Sequence, residues 1–315
     1  MTMARASVSR QRVSAGAVAP GSHLGAWRAV ASLPAMVGSL GLLLVTFGWT
    51  GRWEGLVLVG WLASGAAVFT RAGERFAVAV GLGFRRPSSA QWAVLTSPWD
   101  NALDRTGIAR DAVDLYVAPG AEANAYTAGR RSIAVTSGAL NELLARRLSN
   151  LDIEVVLVHE FGHYATGAAG PTLISTWLAL PWRLTSRAVL GLGLATVGRR
   201  QPIRLLGLVV GTAVIRAVVQ AIIAGQVAVA VLLSTLAVCS VLCPLADAWI
   251  SRRSEYAADR FATQQGAGPQ LATALTRLDR VRRRQSWTQV ALNRHPNTGH
   301  RIAAIERLQA RSSQR

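Results

Sequence analysis

The chain alternates long apolar runs with short polar segments that are rich in arginine. Positions 1–28 are polar, basic and rich in small residues, and an uncharged run then extends from Ala29 to Trp49. About 21 such residues are long enough to cross the roughly 30 Å hydrocarbon core of a bilayer. A shorter apolar run, Gly55–Thr70, follows one short turn. This pattern predicts a transmembrane hairpin over residues 29–71.

Apolar positions dominate again in a second region, residues 169–250. Two further full spans are predicted there, at about Ile203–Ile223 and Val227–Trp249. The shorter runs 171–182 and 188–197 form an interfacial or re-entrant segment, or one irregular span, and the sequence leaves these alternatives open. The pattern therefore predicts about four transmembrane helices in total.

The residues between the two membrane regions have the pattern of an α+β domain. Val113–Val117 alternates as a strand does, a polar turn occupies residues 120–131, and a second strand is expected at Ser132–Thr136. We expect the two strands to form a small hairpin or a sheet edge.

Helices are predicted on either side of these strands. One starts at Ser88 or Ser89 and is expected to be interrupted near Pro98. Others are expected at 138–148 and from Ser149 or Asn150 onward. The apolar segment Phe76–Phe84 is too short to span a bilayer and is expected at the membrane interface or packed on the domain.

Composition strengthens the membrane interpretation. Hydrophobic residues make up 51% of the chain, the mean hydropathy is +0.29, and only 16% of residues are charged, well below the roughly 25% of soluble domains. The net charge of +18 comes from arginine alone. Because the arginines mostly flank apolar runs, anionic lipid explains them more simply than nucleic acid does. Cys239 and Cys243 lie in an apolar run, so neither a disulfide framework nor a cysteine zinc site is expected.

Arginines also predict which side of the membrane each segment faces. They lie before the first hairpin and directly after it, at Arg71, Arg75, Arg85 and Arg86. The positive-inside rule then places the tail and the following domain in the cytoplasm. We expect residues 1–28 to be a disordered basic tail, because the apolar run that follows is too long for a signal peptide.

A candidate catalytic motif, His159-Glu160-x-x-His163, follows the apolar residues Val155–Val158. On a helix, residues i and i+4 share a face, so two imidazoles can reach one Zn²⁺ while Glu160 reaches a water on the same ion. Two histidines on a helix are more often structural. Here the motif uses two of only five histidines, and burying them without a partner would cost about 1–3 kcal/mol per group.

A third ligand is available directly after the last predicted span. Glu255 and Asp259 are four residues apart and would share a helical face. An acidic pair beside arginines usually lies on a solvated helix face. Here, however, the two histidines lack a third protein ligand, which favours a role for the pair at the metal. Glu255 would complete a His₂Glu zinc site, and Asp259 would hold the tautomer of a zinc-bound histidine.

These motifs, in this order, resemble those of the HtpX-like and CAAX-prenyl-protease family of membrane zinc metalloendopeptidases, which are gluzincins. The resemblance covers about residues 29–310 and rests on Asn124-Ala125-Tyr126, the His-Glu-x-x-His motif, Ser251-Arg-x-x-Glu255-x-x-Ala-Asp259, and His295-Pro296 with Arg301-Ile302. Tyr126 replaces the family's more usual phenylalanine.

The resemblance implies roles for the residues that match. His159, His163 and Glu255 would bind one Zn²⁺ per chain, Glu160 would activate water, and Asp259 would stand behind the metal. Two further roles follow from the resemblance alone. Asn124 would lie near the strand that pairs with substrate backbone, and His295 would stabilise the oxyanion. The alternatives are purely structural: Asn124 would be a turn residue, and His295-Pro296 would end a helix.

The predicted architecture is a mainly α membrane protein with a cytoplasmic α+β zincin-like domain and a small β-sheet. Its parts are the tail 1–28, the hairpin 29–71, the first catalytic part 72–168, the second membrane region 169–250 and the second catalytic part 251–315. The predicted location is multi-pass in the cell membrane, and the sequence leaves the oligomeric state open.

The predicted function is hydrolysis of peptide bonds in misfolded membrane or membrane-proximal proteins, a quality-control role that the resemblance suggests. A metalloprotease-type signalling receptor is a rival, but nothing after Glu255 is long enough for its ligand-binding domain. A prenyl-protein processing protease is another, although the chain has too few spans for that branch's large chamber. A catalytically inert membrane scaffold is a further rival. The intact Glu160 argues against it, because a scaffold needs no general base.

Overall fold

The computed structural model describes residues 22–48, 51–185, 202–281 and 297–314. Residues 1–21, the apolar run 188–197 and His295 therefore lie outside the described residues. The helices are α1 (Ser22–Phe47), α2 (Arg52–Ala67), α3 (Arg71–Leu82), α4 (Ser89–Thr106), α5 (Ser137–Leu144), α6 (Asn150–Ala165), α7 (Gly170–Leu178), α8 (Pro202–Ile223), α9 (Val227–Gln264), α10 (Gly268–Val281) and α11 (Thr298–Ser313). The strands are β1 (Asp114–Ala118), β2 (Ala125–Ala128) and β3 (Ser132–Thr136).

The small sheet differs from the predicted hairpin. Its strand order is β1-β3-β2, with β1 parallel to β3 and β2 antiparallel to β3. The two strands that the sequence predicts are thus parallel neighbours, and a third strand lies inside the predicted polar turn. Ala125-Tyr-Thr-Ala128 gave no strand signal because its inward residues are alanines, which add little to an alternating pattern.

Three helix boundaries also differ from expectation. α1 begins at Ser22, inside the predicted tail, because Leu24, Ala26 and Arg28 all favour helix. α4 continues through Pro98, where one lost backbone hydrogen bond is offset by burial of its apolar face. α5 ends at Leu144, because Arg146 adopts a φ of +58° that no helix continues.

Helix α6 runs through the main apolar core. Ser149 and Asp152 form a capping box that fixes its first turn. Its apolar side chains enter the main core, where Phe161 meets Trp99 of α4 edge to face at 5.3 Å. The capping box fixes where α6 begins, and the buried apolar side chains fix the rotation of the helix about its axis. The polar face of α6 therefore points in one defined direction.

Helix α9 is continuous from the last predicted span into the segment that carries Glu255. Its 38 residues extend about 57 Å at 1.5 Å per residue. It crosses α6 at Gly162, where a Cβ atom would lie 2.8 Å from Ala258 Cα. Only glycine permits so close a crossing. The predicted boundary at residue 250 therefore falls inside one helix.

One described helix is long and apolar enough to cross a membrane, the segment Gly25–Leu44 of α1. A second arises if α2 and α3, which meet at an angle of 105°, count as one broken span, and Gly211–Ile223 of α8 is a shorter apolar helix. Four spans remain a prediction. The angle turns α3 away from α2, and its outward Phe76 and Val80 are 62% and 65% exposed.

Helix α3 is joined to the sheet by charged side chains. Glu74, which is 3% exposed, accepts hydrogen bonds from the Arg130 and Arg131 backbone N–H groups at 3.2 and 2.8 Å and from the Ser132 hydroxyl at 2.8 Å. Arg71 of α3 also donates to Asp114 of β1 at 2.9 Å. These contacts fix the β2–β3 turn against α3.

We expect Glu74→Gln to lower the free energy of unfolding of the protein by about 1–3 kcal/mol. The carboxamide has one acceptor oxygen where the carboxylate has two, and its NH₂ group would face the backbone donors. Thermal unfolding in detergent measures the loss. The control is Asp104→Asn, which removes an exposed carboxylate, and an equal melting temperature for both variants would contradict the prediction.

Candidate metal centre

Helix α6 presents three buried polar side chains on one face. His159, Glu160 and His163 each offer a ligand atom, and these atoms lie within 4.8 Å of one another. The two imidazole rings stand almost perpendicular, with centroids 4.9 Å apart. The structure therefore brings together the three residues of the motif as the helical spacing predicts.

Helix α9 brings Glu255 to the same place. Its carboxylate oxygens lie 3.5 Å from His159 Nε2 and 3.3 Å from His163 Nε2. The sequence separates Glu255 from His163 by the predicted second membrane region, and the close crossing at Gly162 joins the two helices. Both Nε2 atoms thus face one carboxylate.

The Nδ1 atoms of both imidazoles contact side chains of α9 on the side away from the Glu255 carboxylate. His159 Nδ1 lies 2.9 Å from Asp259 Oδ1, and His163 Nδ1 lies 3.1 Å from Ser254 Oγ. Asp259 was predicted to be there, whereas Ser254 was not. No sequence signal distinguishes Ser254, because a serine beside a glutamate is an ordinary helix residue.

Arg301 of α11 is a further buried member of the site. It binds Asp259 with two hydrogen bonds of 2.9 and 2.7 Å, and its Nη1 lies 3.1 Å from Glu255 Oε2. Bidentate pairing of this kind fixes both partners. The sequence identified Arg301 only as part of a motif, because nothing local indicates that α11 returns to the site.

The charges of the site shift the pKa values of His159 and Asp259. Burial and the Arg301 charge lower the pKa of His159, but its hydrogen bonds to Asp259 and Glu255 outweigh them and raise it to about 9. Burial raises the pKa of Asp259, but the Arg301 charge and the His159 hydrogen bond lower it to about 2. A cation at His159 Nε2 must therefore displace a proton, so metal binding is tighter at higher pH.

The donor set fits a zinc ion. Ligands at about 2.0–2.2 Å from a tetrahedral Zn²⁺ lie roughly 3.3–3.6 Å apart, which is the separation between the Glu255 oxygens and both Nε2 atoms. Two neutral imidazoles and one carboxylate are a zinc hydrolase set. Groups that orient the other ring nitrogens are typical of metal-bound histidines.

Strand β2 reaches the site through Thr127. Its hydroxyl lies 2.8 Å from Glu160 Oε2 and 2.9 Å from the Glu160 carbonyl oxygen. Asn124 precedes β2, pairs with Thr136 through its backbone, and lines a cavity with His159 and Glu160. Thr127 was missed because β2 was not predicted as a strand.

A protein-family model decides what kind of protein carries this site. The model described as peptidase family M48 matches residues 93–309, a range that contains α6, α9 and Arg301 of α11. The chain belongs to peptidase family M48. M48 is a family of metallopeptidases, so the resemblance drawn from the motifs is confirmed. The described fold is mostly helical with one three-stranded sheet. It agrees with the prediction of a mainly α protein with a small β-sheet.

Other comparisons add little to the family assignment. No curated protein matches the M48 peptidase. Among solved structures, Ste24p from S. mikatae is 17% identical with a TM-score of 0.46, and the alignment covers 85% of this chain. The chain spans 62% of the length of that protein. The activity and substrates of the whole protein are accordingly taken up below as proposals.

Proposed function

We propose that this M48 peptidase is a membrane-embedded zinc endopeptidase in which His159, His163 and Glu255 hold the ion. The observation that carries the proposal is the position of the Glu255 carboxylate, 3.3–3.5 Å from both Nε2 atoms. Bound zinc would acidify a water molecule and polarise the scissile carbonyl. Asp259 and Ser254 orient the imidazoles, and Arg301 holds Asp259 in place.

Glu160 is the general base in this proposal. It takes a proton from water as the water oxygen bonds to the scissile carbon, and it delivers that proton to the amine as the C–N bond breaks. No covalent intermediate forms. His295, which lies outside the described residues, remains the proposed oxyanion partner.

The substrate is expected to bind as an extended strand along β2. Among the described strands, none pairs with the outer edge of β2, and Thr127 on this strand contacts Glu160. A peptide that adds to this edge gains backbone hydrogen bonds beside the catalytic residues. Asn124, at the start of the strand, is the proposed partner for substrate backbone.

We expect Thr127→Val to lower kcat about three- to tenfold with little change in KM. Valine keeps the strand and the side-chain shape but removes the hydroxyl that orients Glu160. Thr127→Ser keeps the hydroxyl and should restore most of kcat. Steady-state peptide hydrolysis measures all three proteins, and a valine variant that matches wild type would show that the hydroxyl is dispensable.

The membrane part of the proposal rests on exposed apolar surface. Large outward-facing side chains include Leu33, Leu56, Val59, Ile215 and Val231. So many exposed large apolar side chains in water would favour aggregation, whereas lipid would cover them. We propose four spans in the cell membrane, with 29–71 as hairpin and 169–250 as second membrane region. The catalytic parts 72–168 and 251–315 would then face the cytoplasm.

The proposed substrates are membrane proteins with cytoplasmic segments. Glu255 lies six positions after Trp249, the end of the predicted span, on α9, which is about 9 Å along the helix. A site so near the membrane surface suits quality control of misfolded membrane proteins. Processing of prenylated proteins is the other candidate from the family resemblance.

Substrate trapping distinguishes these candidates. Full-length Glu160→Gln should keep its binding groups, so polypeptides that enter the cleft stay bound. The expected result is enrichment of membrane proteins over wild type when the variant is purified from cells. Enrichment confined to prenylated proteins would favour the processing role, and no enriched polypeptide would contradict both.

A further inference from the structure

Helix α3 has an inner face and an outer face, and both are apolar. Ala77 and Val78 on the inner face pack in an apolar cluster with Tyr116 and Ala134 of the sheet. The opposite helical positions are exposed and also apolar: Ala72, Phe76, Ala79 and Val80. A surface helix in water normally carries polar residues on its outer face. The outer face of α3 therefore indicates contact with an apolar partner.

The corner between α2 and α3 is fixed by the local sequence. The Thr70 hydroxyl accepts a hydrogen bond from the Gly73 N–H at 3.0 Å and so caps α3. A Cβ atom on Gly73 would clash with the Ala67 carbonyl oxygen, so only glycine permits this corner. Because transmembrane helices tilt by only about 20° on average, a helix at 105° to the proposed span α2 lies nearly along the membrane surface.

Arginines flank the apolar outer face at both ends of α3. Arg71 and Arg75 share the carboxylate of Asp114, at 2.9 and 3.1 Å, so these three residues keep a net positive charge. Arg85 and Arg86 follow the end of α3 and are exposed. An apolar helix face bordered by arginines is typical of a helix that lies on an anionic lipid surface.

We propose that α3 lies in the headgroup layer of the membrane, with its outer face toward the acyl chains and with Arg85 and Arg86 at the phosphates of anionic lipids. The sheet would then lie one helix diameter, about 10 Å, above the lipid. Because Glu74 of α3 holds the β2–β3 turn, the proposed substrate edge of β2 is kept near the surface from which segments of membrane proteins emerge. This inference rests on the membrane part of the proposed function.

Spin labels on the full-length protein measure how deep α3 lies. The chain contains two cysteines, so Cys239→Ser with Cys243→Ser provides the background. Val59→Cys, Phe76→Cys and Asp104→Cys, in three separate proteins, place a label on exposed positions of α2, α3 and α4. In vesicles of equimolar phosphatidylcholine and phosphatidylglycerol, collisions with oxygen and with a water-soluble nickel complex report the depth of each label. We expect position 76 about 5–10 Å below the headgroup surface, position 59 deeper, and position 104 in water.

The charge interaction is tested by removing either partner. Vesicles of phosphatidylcholine alone lack anionic headgroups, and Arg85→Gln with Arg86→Gln removes two charges from the protein. Each change should raise the collision rate of the nickel complex with the label at position 76 about two- to fivefold, since one arginine near such a surface contributes about fivefold to binding. The matched control, Arg146→Gln with Arg147→Gln, removes another exposed arginine pair and should not alter that rate.

Four results would overturn the inference. A label at position 76 that the nickel complex reaches as readily as position 104 would place the outer face of α3 in water. A label that neither reagent reaches would show that protein covers this face, and a label as deep as position 59 would make α3 part of a span. A nickel collision rate that either removal of charge leaves unaltered would exclude anionic lipid as the partner. If the label at position 59 lies in water, the membrane part of the proposed function fails instead.

Discussion

Replacing Glu160 with Gln is expected to lower kcat for peptide hydrolysis about 10²–10⁴-fold, the usual contribution of a general base. The carboxamide keeps the size of the side chain and can still accept from the Thr127 hydroxyl, now 2.8 Å from Glu160 Oε2. It cannot take a proton from water. Because Glu160 is not a proposed ligand, the variant should retain its zinc.

Casein and a fluorogenic peptide are suitable substrates for this comparison. The matched control is Glu306→Gln, which makes the same change at an exposed position of α11 and should behave as wild type. Equal activity of Glu160→Gln and wild type would show that this carboxylate takes no part in catalysis.

Replacing Glu255 with Gln is expected to weaken zinc binding by at least about 100-fold, the upper range seen when groups behind metal ligands are removed. The neutral carboxamide is a poor ligand for Zn²⁺. It also leaves Arg301, whose Nη1 lies 3.1 Å from Glu255 Oε2, with one buried acidic partner fewer. Activity should fall with the metal.

The zinc-to-protein ratio after dialysis against a chelator measures this effect. Glu160→Gln is the charge-matched control, because it makes the same substitution within the same site yet should stay loaded. A Glu255→Gln protein with one zinc ion per chain would exclude Glu255 as a required ligand.

Local chemistry made part of the site predictable from the sequence. His159, Glu160 and His163 lie within one helical turn or little more, so their spacing alone places them on one face. Glu255 was identified because a zinc hydrolase needs a third protein ligand and a carboxylate followed the last apolar run. The structure places these four side chains together, as the sequence predicts.

Other members of the site depend on contacts that no local pattern encodes. Thr127 lies on a strand whose small residues hide its alternation, and it reaches Glu160 only because β2 packs beside α6. Arg301 lies far along the chain from Glu255, and its role depends on how α11 folds back. The parallel pairing of β1 and β3 was missed for the same reason, since strand order is a tertiary property.

Membrane topology was less predictable than the catalytic helix. Apolar runs predict lengths but not directions, and the 105° angle between α2 and α3 has no signal in composition. The continuity of α9 was also hidden, because an apolar run followed by a basic segment resembles a domain boundary. In the structure that helix carries the third proposed ligand directly on the end of the last predicted span.

X-ray absorption at the zinc edge of purified full-length enzyme tests the central claim most directly. The account predicts one zinc ion per chain, bound by two imidazole nitrogens at about 2.0–2.1 Å and by oxygen ligands at about 2.0–2.2 Å. Glu160→Gln should give the same spectrum. A spectrum with fewer than two imidazoles, or a protein that binds no stoichiometric zinc, would contradict the assignment of His159, His163 and Glu255 to one metal centre.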